Sequence, residues 1–421
     1  MATRQWLGIA PAVAQVTTVQ VTGYDAATTY AIEVNGIAIA SVPGTTNADD
    51  TASALQAAWE ASDSPYAEGI TATVSTDTVT LTGTAGLPFT VTASDTGGSG
   101  TIGSPSTTTA ATGPNFWDNA ANWSGGAVPI DADDVVIRDS AVPIAWGLDQ
   151  SAIELGTLRI EASYTGTIGL LKSAVATSAD AQTTDASAIE YREDYLIIGY
   201  TTCRIGDKAG PGLADGAGRI KINNDENAAS ETHIIQTAAQ GTDLNLPAIR
   251  LLLANSSANV FVRSAQGGVG IAVEAASETA TVGAVTIADT TEVSQVFTGP
   301  GTTVTTWRQT GGQNVLEAAA DVTTVEIEGG QLRIDGAFKV GTLQCNGGRC
   351  VANNADGSNV CATTATVNGG RLDLLGSAEA RTIGTLNPNG GEIALNPDVI
   401  TLSAINEPDG AAVISIDPAV G

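Results

Sequence analysis

The feature of this sequence that most restricts its fold is a Gly-Gly pair that recurs through the second half of the chain. The pairs begin at Gly267, Gly311, Gly329, Gly347, Gly369 and Gly390, so the successive steps along the sequence are 44, 18, 18, 22 and 21. The first step equals two steps of 22, which indicates that one copy lacks its glycines. A period of about 20 residues that drifts in length is typical of a solenoid whose coils carry loops of different size.

Alignment of the last four copies indicates what each repeat encodes. The positions four and two residues before each pair, and three and five residues after it, are apolar in nearly every copy, whereas the positions between them are mostly polar. Each copy therefore predicts a strand, a glycine corner and a second strand with one face inward. The aligned sets are Val325, Leu343, Ala365 and Leu386; Ile327, Cys345, Val367 and Pro388; Leu332, Cys350, Leu372 and Ile393; and Ile334, Ala352, Leu374 and Leu395.

These patterns predict a mainly β fold whose C-terminal part, residues 114–421, is a right-handed parallel β-helix, a solenoid with its handedness taken from precedent. Strand-like segments at 218–222 and 258–262 extend the pattern upstream, and the stacked strands are expected from near Ile130. An array of immunoglobulin-like sandwiches is the competing architecture. It is disfavoured because a sandwich module needs about 100 residues.

The N-terminal part of the sequence has a different organisation. Residues 16–93 predict a small α+β domain, because alternating strands flank the hairpin-turn sequence Asn35-Gly36 and a segment with helical apolar spacing follows. Residues 94–113 are rich in Ser, Thr, Gly and Ala and predict a flexible linker. Residues 1–15 are expected to form an N-terminal arm.

Two tryptophans, Trp117 and Trp123, stand among Asn and Asp residues at the start of the predicted β-helix. One interpretation is a carbohydrate platform, because an aromatic ring offers an apolar face to a ligand. The favoured interpretation is a cap over the first apolar layer, because the open end of a β-helix must be protected against edge pairing.

The charge of the chain restricts its partners. Seventeen basic and 45 acidic residues give a net charge of −28, which repels phosphate backbones and anionic membranes, so neither nucleic acid nor membrane is an expected partner. The charge is interpreted as a means of staying soluble, with docking on a basic surface or collection of divalent cations as the alternatives. No segment is long and apolar enough for a membrane helix, and the thin basic region before Pro11 disfavours a signal peptide.

Residues for metal binding or nucleophilic catalysis are scarce. The single histidine, His233, lies in a strand-like segment and is interpreted as a surface or hydrogen-bonded residue rather than as part of a catalytic triad. The four cysteines include no CxxC motif, which disfavours a zinc site and favours buried thiols; a Cys345–Cys350 bridge is the alternative. No catalytic residue, cofactor or metal is predicted, and the protein is expected not to be an enzyme.

Outward-facing acids leave one enzymatic alternative, a polysaccharide hydrolase, because paired carboxylates hydrolyse glycosides. On an acidic solenoid the expected state of such acids is solvated or neutralised, and no pair stands out. The acids considered are Asp133, Asp134, Glu326, Glu328, Asp335 and Asp373.

Three stretches together resemble bacteriophage virion proteins. The sequence around Trp6-Leu7-Gly8 resembles the N-termini of phage structural proteins. Residues 28–92, with their hairpin, Ala-rich helix and Thr-rich strand, look like small α+β modules of phage tail and head proteins. Residues 122–136 resemble the start of β-helices in phage and autotransporter proteins.

This resemblance implies a virion surface component made in the host cytoplasm, namely a capsid decoration protein or head fibre. A tail fibre, tail spike or adhesin that binds a cell-surface glycan is the alternative. The implied partners are a major capsid or tail protein and further copies of the chain, often as a trimer. The implied arrangement has an N-terminal anchor, for which Trp6 and Leu7 are the candidates, and an outward β-helix.

Overall fold

The structure is a computed structural model of the 421-residue chain. It describes residues 2–169, 195–207, 220–226, 228–236, 247–264, 267–273, 277–289, 294–376, 379–406 and 412–416. The fold is mainly β, as predicted. The described residues form two compact units, one of residues 8–122 and the other of residues 2–7, 123–169 and those from 195 onward.

The unit of residues 8–122 contains two antiparallel sheets and one α-helix. Its strands are β2 (Val16–Gly23), β3 (Thr29–Val34), β4 (Ile37–Pro43), β5 (Thr71–Ser75), β6 (Thr78–Thr82), β7 (Val91–Thr96), β8 (Thr101–Ile102) and β9 (Ser106–Thr109). The helix α1 (Ala48–Glu60) follows β4, and a 3-10 turn (Ala120–Asn122) ends the unit. One sheet has the order β5-β6-β2-β8 with β9 also on β2, and the other has the order β4-β3-β7.

The predicted elements of this unit form for the expected reasons. Asn35 and Gly36 both have positive φ, as a tight hairpin turn between β3 and β4 requires. The Asn47 side chain caps α1 by accepting a hydrogen bond from the Asp50 amide at 2.8 Å. The apolar face of α1 then packs on both sheets in a core with Ile32 and Leu81.

Residues 94–113 differ from the predicted flexible linker. They complete β7 and supply β8 and β9, and both of the latter strands pair with β2. Hydroxyl groups tie these strands in place; for example, Thr17 and Thr107 share a 3.1 Å hydrogen bond. Thr-rich strands need no large apolar side chains when the backbone ladder and hydroxyl pairs hold them, so composition alone misassigned this segment.

The second unit is a parallel β-solenoid of 23 described strands in one continuous order. The early strands are β1 (Thr3–Gln5), β10 (Asp134–Ile137), β11 (Asp149–Glu161), β12 (Leu196–Asp207), β13 (Ile220–Asn224), β14 (Ser230–Ile234), β15 (Ile249–Leu253), β16 (Ala258–Val262), β17 (Val269–Ile271), β18 (Ala280–Ile287) and β19 (Val296–Thr298). The late strands are β20 (Thr302–Gln309), β21 (Gln313–Leu316), β22 (Val322–Ile327), β23 (Gln331–Ile334), β24 (Val340–Cys345), β25 (Arg349–Ala352), β26 (Val360–Val367), β27 (Arg371–Leu374), β28 (Arg381–Pro388), β29 (Glu392–Leu395), β30 (Ile400–Ile405) and β31 (Val413–Ile416).

From β12 onward each strand pairs with the strand two places along, so every coil contributes one strand to each of two parallel faces. The register confirms the sequence alignment of the late coils. Val325 pairs with Leu343, which pairs with Ala365 and then with Leu386. These inward side chains are buried, and they form a core of stacked apolar columns.

The glycine pairs make the corners between the two faces. The second glycine of each late pair has a positive φ, for example 72° at Gly330 and 65° at Gly348. A side chain on Gly348 would also collide with the backbone of the coil below, because its Cβ would lie 2.7 Å from the Gly329 carbonyl carbon. The corner therefore requires glycine for two reasons, φ and space.

The first residues of the chain also differ from the predicted arm. β1 pairs in parallel with β10 and is the first strand of the solenoid sheet. No local pattern could reveal this, because the whole unit of residues 8–122 separates the two strands in the sequence.

Candidate functional site

The predicted anchor residue Trp6 lies at the first strand of the solenoid. Its amide donates a 2.9 Å hydrogen bond to the Val136 carbonyl, and its indole packs edge-on against Trp123 with ring centroids 5.1 Å apart. Trp6 and Trp123 are each only 1% exposed. Leu7 is half-buried, and Ile9 after it is 69% exposed.

The Asp133 side chain fixes the position of this N-terminal segment through contacts with Ala2 and Arg4. Its carboxylate accepts a 2.6 Å hydrogen bond from the Ala2 amide and lies 3.3 Å from the Arg4 Nε. Burial alone would raise the pKa of this carboxyl, but the hydrogen bonds from Ala2 and Arg4 outweigh it and lower the pKa. Asp133, considered above as a possible catalytic acid, therefore has a structural role at the start of the solenoid.

Trp117 belongs to the other unit and is 0% exposed. The loop that carries it is fixed by Asn122, whose side chain donates to the carbonyls of Gly113 and Phe116 and accepts from the Ala10 amide. Trp117 and Trp123 thus lie in different units, and neither offers a ring face to solvent. This placement gives no support to the carbohydrate-platform interpretation, and the contact of Trp123 with Trp6 fits the cap interpretation.

The other acids considered for catalysis are tied to partners. Arg308 contacts both Glu326 and Glu328, at 3.3 and 2.6 Å. Asp335 forms an ion pair at 2.5 Å with Arg333, which precedes it by two residues. Asp134 accepts a 2.6 Å hydrogen bond from the Thr157 hydroxyl.

Asp373 is the most buried of these acids. Arg349 from the coil below contacts it at 2.7 Å, and Arg371 approaches to 3.5 Å. Burial would raise the pKa of Asp373, but the hydrogen bond and charge of Arg349 outweigh it, so the pKa is lowered. An acid held ionised in this way stabilises the stack of coils and is a poor proton donor.

The cysteines lie inside the solenoid. All four are buried free thiols, including Cys345 and Cys350 on successive inward faces of one coil. The hydrogen bond between these two thiols, together with burial, raises the pKa of Cys350 well above its usual range. Burial raises the pKa of Cys361 to about 11. The thiol form of Cys350 and Cys361 therefore prevails at neutral pH. Cys345 and Cys350 are both free, so the alternative disulfide between them is not formed.

The sequence analysis missed one arrangement of mostly half-buried side chains on the outside of the solenoid. The outward positions of successive coils on one solenoid face form a column in which each residue pairs in register with the next. We call it the basic–aromatic column; it consists of Arg159, Arg204, His233, Phe261, Thr286 and Arg308.

His233 and Phe261 stack in the middle of this column. Their rings are nearly parallel, 12° apart, with centroids at 4.8 Å. His233 Nε2 lies 2.9 Å from the Glu231 carboxylate, so the histidine is hydrogen-bonded at the surface as the sequence suggested. Below it, Arg159 and Arg204 share the Asp207 carboxylate at 3.3 and 3.1 Å.

Across the described residues, no three His, Cys, Asp or Glu side chains are grouped as a metal site would need. Within the same residues, no helix combines the length and the hydropathy of a membrane-spanning helix. Comparison of the chain with protein-family models, curated proteins and solved structures finds no match.

Proposed function

We propose that this protein is a non-enzymatic structural component of the surface of a bacteriophage particle, a capsid decoration protein or head fibre. The solenoid, which we propose to be right-handed, would project from the particle, and the N-terminal region would attach to the major capsid or tail protein. The protein would be made in the host cytoplasm and assemble as a homo-oligomer, of which a trimer is the expected form.

The observation that carries this proposal is the long register of the solenoid. Parallel strands follow one another from β1 to β31, and acids such as Glu328 and Asp373 form ion pairs with arginines of neighbouring coils. An uninterrupted stack of this kind resists local opening, because each coil is held by the coils on both sides. A stack of coils that resists local opening suits a component that projects from the particle. The net charge of −28 would keep neighbouring particles apart.

The attachment surface is proposed to lie on residues 8–122 rather than on Trp6. Trp6 is packed against Trp123, so its use as an anchor would require the first strand to leave the solenoid. The unit of residues 8–122 carries exposed apolar side chains that a partner could cover, namely Ile9, Tyr24 and Leu87.

Immunogold electron microscopy of intact particles tests this proposal, with one antibody against the recombinant solenoid and another against residues 8–122. The expected result is solenoid label over the shell, with the N-terminal epitope masked on particles and accessible on free protein. Label at the tail would favour the fibre alternative. Particles without label would overturn the virion proposal. Sedimentation equilibrium of the free protein tests the expected trimer.

A second candidate function is an adhesin or tail fibre that binds a cell-surface glycan. The observation that favours it is the outward-facing, half-buried stack of His233 and Phe261 among arginines, on a protein that is otherwise strongly acidic.

A further inference from the structure

A groove opens beside the His233–Phe261 stack. Its volume is about 330 Å³. It exists because a small residue follows a large one in the basic–aromatic column: Thr286 stands on the coil after Phe261. The main lining residues are Arg204, His233, Phe261, Arg263, Thr286 and Ala288.

Phe261 is half-buried and lines this groove, where one face of its ring would meet a ligand. His233 covers the other face, since the two parallel rings are separated by about the spacing of neighbouring strands, roughly 4.8 Å. Thr286 is too short to cover the face on the next coil, and its hydroxyl offers a hydrogen-bonding group there. Such a site combines a flat apolar wall with a polar edge.

Arginines supply positive charge on both sides of the rings. Arg263 lies two residues after Phe261, just past the end of β16, is exposed, and forms no ion pair with any acid in the described part of the chain. Arg204 uses its Nε for the contact with Asp207 at 3.1 Å. A guanidinium carries five N–H donors, so this contact leaves the outer fork of Arg204 able to bind a carboxylate.

We propose that this groove binds a carboxylated sugar residue of an acidic saccharide. The C–H face of the pyranose ring would stack on Phe261, its carboxylate would bind Arg263, and its hydroxyl groups would meet Thr286. The inference develops the second candidate function and does not depend on attachment to a phage particle, so it can fail or succeed separately from the first.

The charge of the protein selects among anions. With a net charge of −28, a densely charged polymer such as nucleic acid is repelled over the whole surface. A saccharide that carries one carboxylate per residue is repelled less and gains contact with both the aromatic wall and the arginine. The combination favours an acidic saccharide over a polyphosphate.

Binding to the full chain tests the proposal, measured by saturation-transfer NMR and calorimetry. The probes are trigalacturonate, a hyaluronan tetrasaccharide and sialyllactose, and the methyl ester of each probe serves as its uncharged match. At least one acidic probe is expected to bind, and its uncharged match to bind at least about tenfold more weakly, which corresponds to about 1.4 kcal/mol.

Arg263→Gln should weaken binding of that probe by at least about tenfold. Phe261→Ala should abolish the saturation transfer from the protein to the C–H protons of the probe's sugar ring. Arg263 is exposed, so its variant should fold normally, which a circular dichroism melt can verify. Arg333→Gln, an exposed arginine outside the groove, should leave binding unchanged.

Three results would overturn the proposal. The first is that none of the acidic saccharides binds. The second is that binding is unaffected by Arg263→Gln. The third is that tetraglutamate binds as tightly as the best saccharide and does so without Phe261, which would assign the groove to an acidic segment of a protein partner.

Discussion

The early coils of the solenoid, from β10 to β19, and the late coils, from β20 to β29, pair in one continuous register. They differ in the length of the connections between their strands. One inward column runs through both. The sequence steps between its members are 45, 29, 28, 25 and 22 up to Trp307, and 18, 18, 22 and 21 beyond it. The strands of this column remain paired while the step falls from 45 to 18 residues and then stays between 18 and 22. The members of the column are Leu158, Cys203, Thr232, Val260, Val285, Trp307, Val325, Leu343, Ala365 and Leu386.

The late coils compensate for their short connections with specific corner chemistry. Glycines stack on glycines. The residue before each of the last three pairs is an asparagine, and these form a ladder in which Asn389 donates to Asn368 and Asn368 donates to Asn346, each at 2.8 Å. The early coils close with longer connections, whose entropic cost rises only slowly with length. The regular corners of the late coils and the composition of the outward columns are thus separate properties. The half-buried stack of His233 and Phe261 lies in the early coils.

The largest effect is expected from a side chain in a late corner. Gly348→Val would place a Cβ against the Gly330 carbonyl oxygen at a φ of 65°, so both strain and collision oppose it. We expect a loss of about 4 kcal/mol, measured by urea denaturation with hydrogen exchange to locate the opened coils. Gly357→Val is the matched control, because a Cβ there meets nothing within 4 Å. Equal losses in both variants would contradict the corner argument.

Asp373→Asn tests the ion pairs that join late coils. The variant leaves Arg349 and Arg371 without their shared carboxylate, and we expect a loss of about 2 kcal/mol at neutral pH. Since the pKa of Asp373 is lowered in the fold, its contribution is present above its ordinary pKa and disappears as pH falls through the lower folded value. Melting temperatures of variant and wild type should therefore converge in acid. A constant difference at all pH values would show that the loss comes from packing.

Asn368→Ala removes the middle of the asparagine ladder. Because the side chain is exposed and two neutral hydrogen bonds are involved, we expect a loss of about 1 kcal/mol, with faster amide exchange confined to the adjoining coils. Asn368→Gln is the control, because it keeps an amide group but displaces it by one methylene from the ladder. No local change in exchange would mean that the glycine corner alone sets the coil spacing.

The smallest effect, of opposite sign, is expected in the early coils. Burial raises the pKa of Asp225, and the charges of Asp149, Glu226 and Glu154 add to that effect. The contribution of such a group is most favourable below its ordinary pKa and is lost as pH rises through the raised folded value. Asp225→Asn should therefore stabilise the protein at neutral pH by less than about 1 kcal/mol, and the gain should vanish in acid. Destabilisation at pH 7 would contradict this reading of the early coils.

The same contrast explains what could be predicted from sequence. The late coils were aligned correctly residue by residue, because Gly-Gly corners mark the phase of every repeat. Early strands such as β13, β14 and β16 were recognised as strand-like from the sequence, but nothing local shows which strands they stack against. β1 has three residues and a partner far along the chain, so it carries no readable signal at all.

The candidate groove was beyond sequence reasoning for a similar reason. Arg204, His233 and Phe261 are neighbours only because connections of unequal length return the chain to the same column. The tryptophans, by contrast, drew attention as a close pair in sequence, and the fold assigns Trp117 and Trp123 to separate units. The two tryptophans are close in sequence but lie in different units, whereas the groove residues are far apart in sequence but adjacent in the fold.

The pairing of β1 with β10 makes residues 8–122 an insertion within the first coil. The chain leaves the solenoid after Leu7 and returns at Trp123, and these two points are joined because the Ser124 amide donates to the Gln5 carbonyl at 2.9 Å while the Ser124 hydroxyl accepts from the Gln5 amide at 2.8 Å. A module whose ends meet in this way can be exchanged as a cassette. Replacing it with a short Gly-Ser linker, or with a foreign domain of similar end-to-end distance, would leave every strand of the solenoid with its own neighbour.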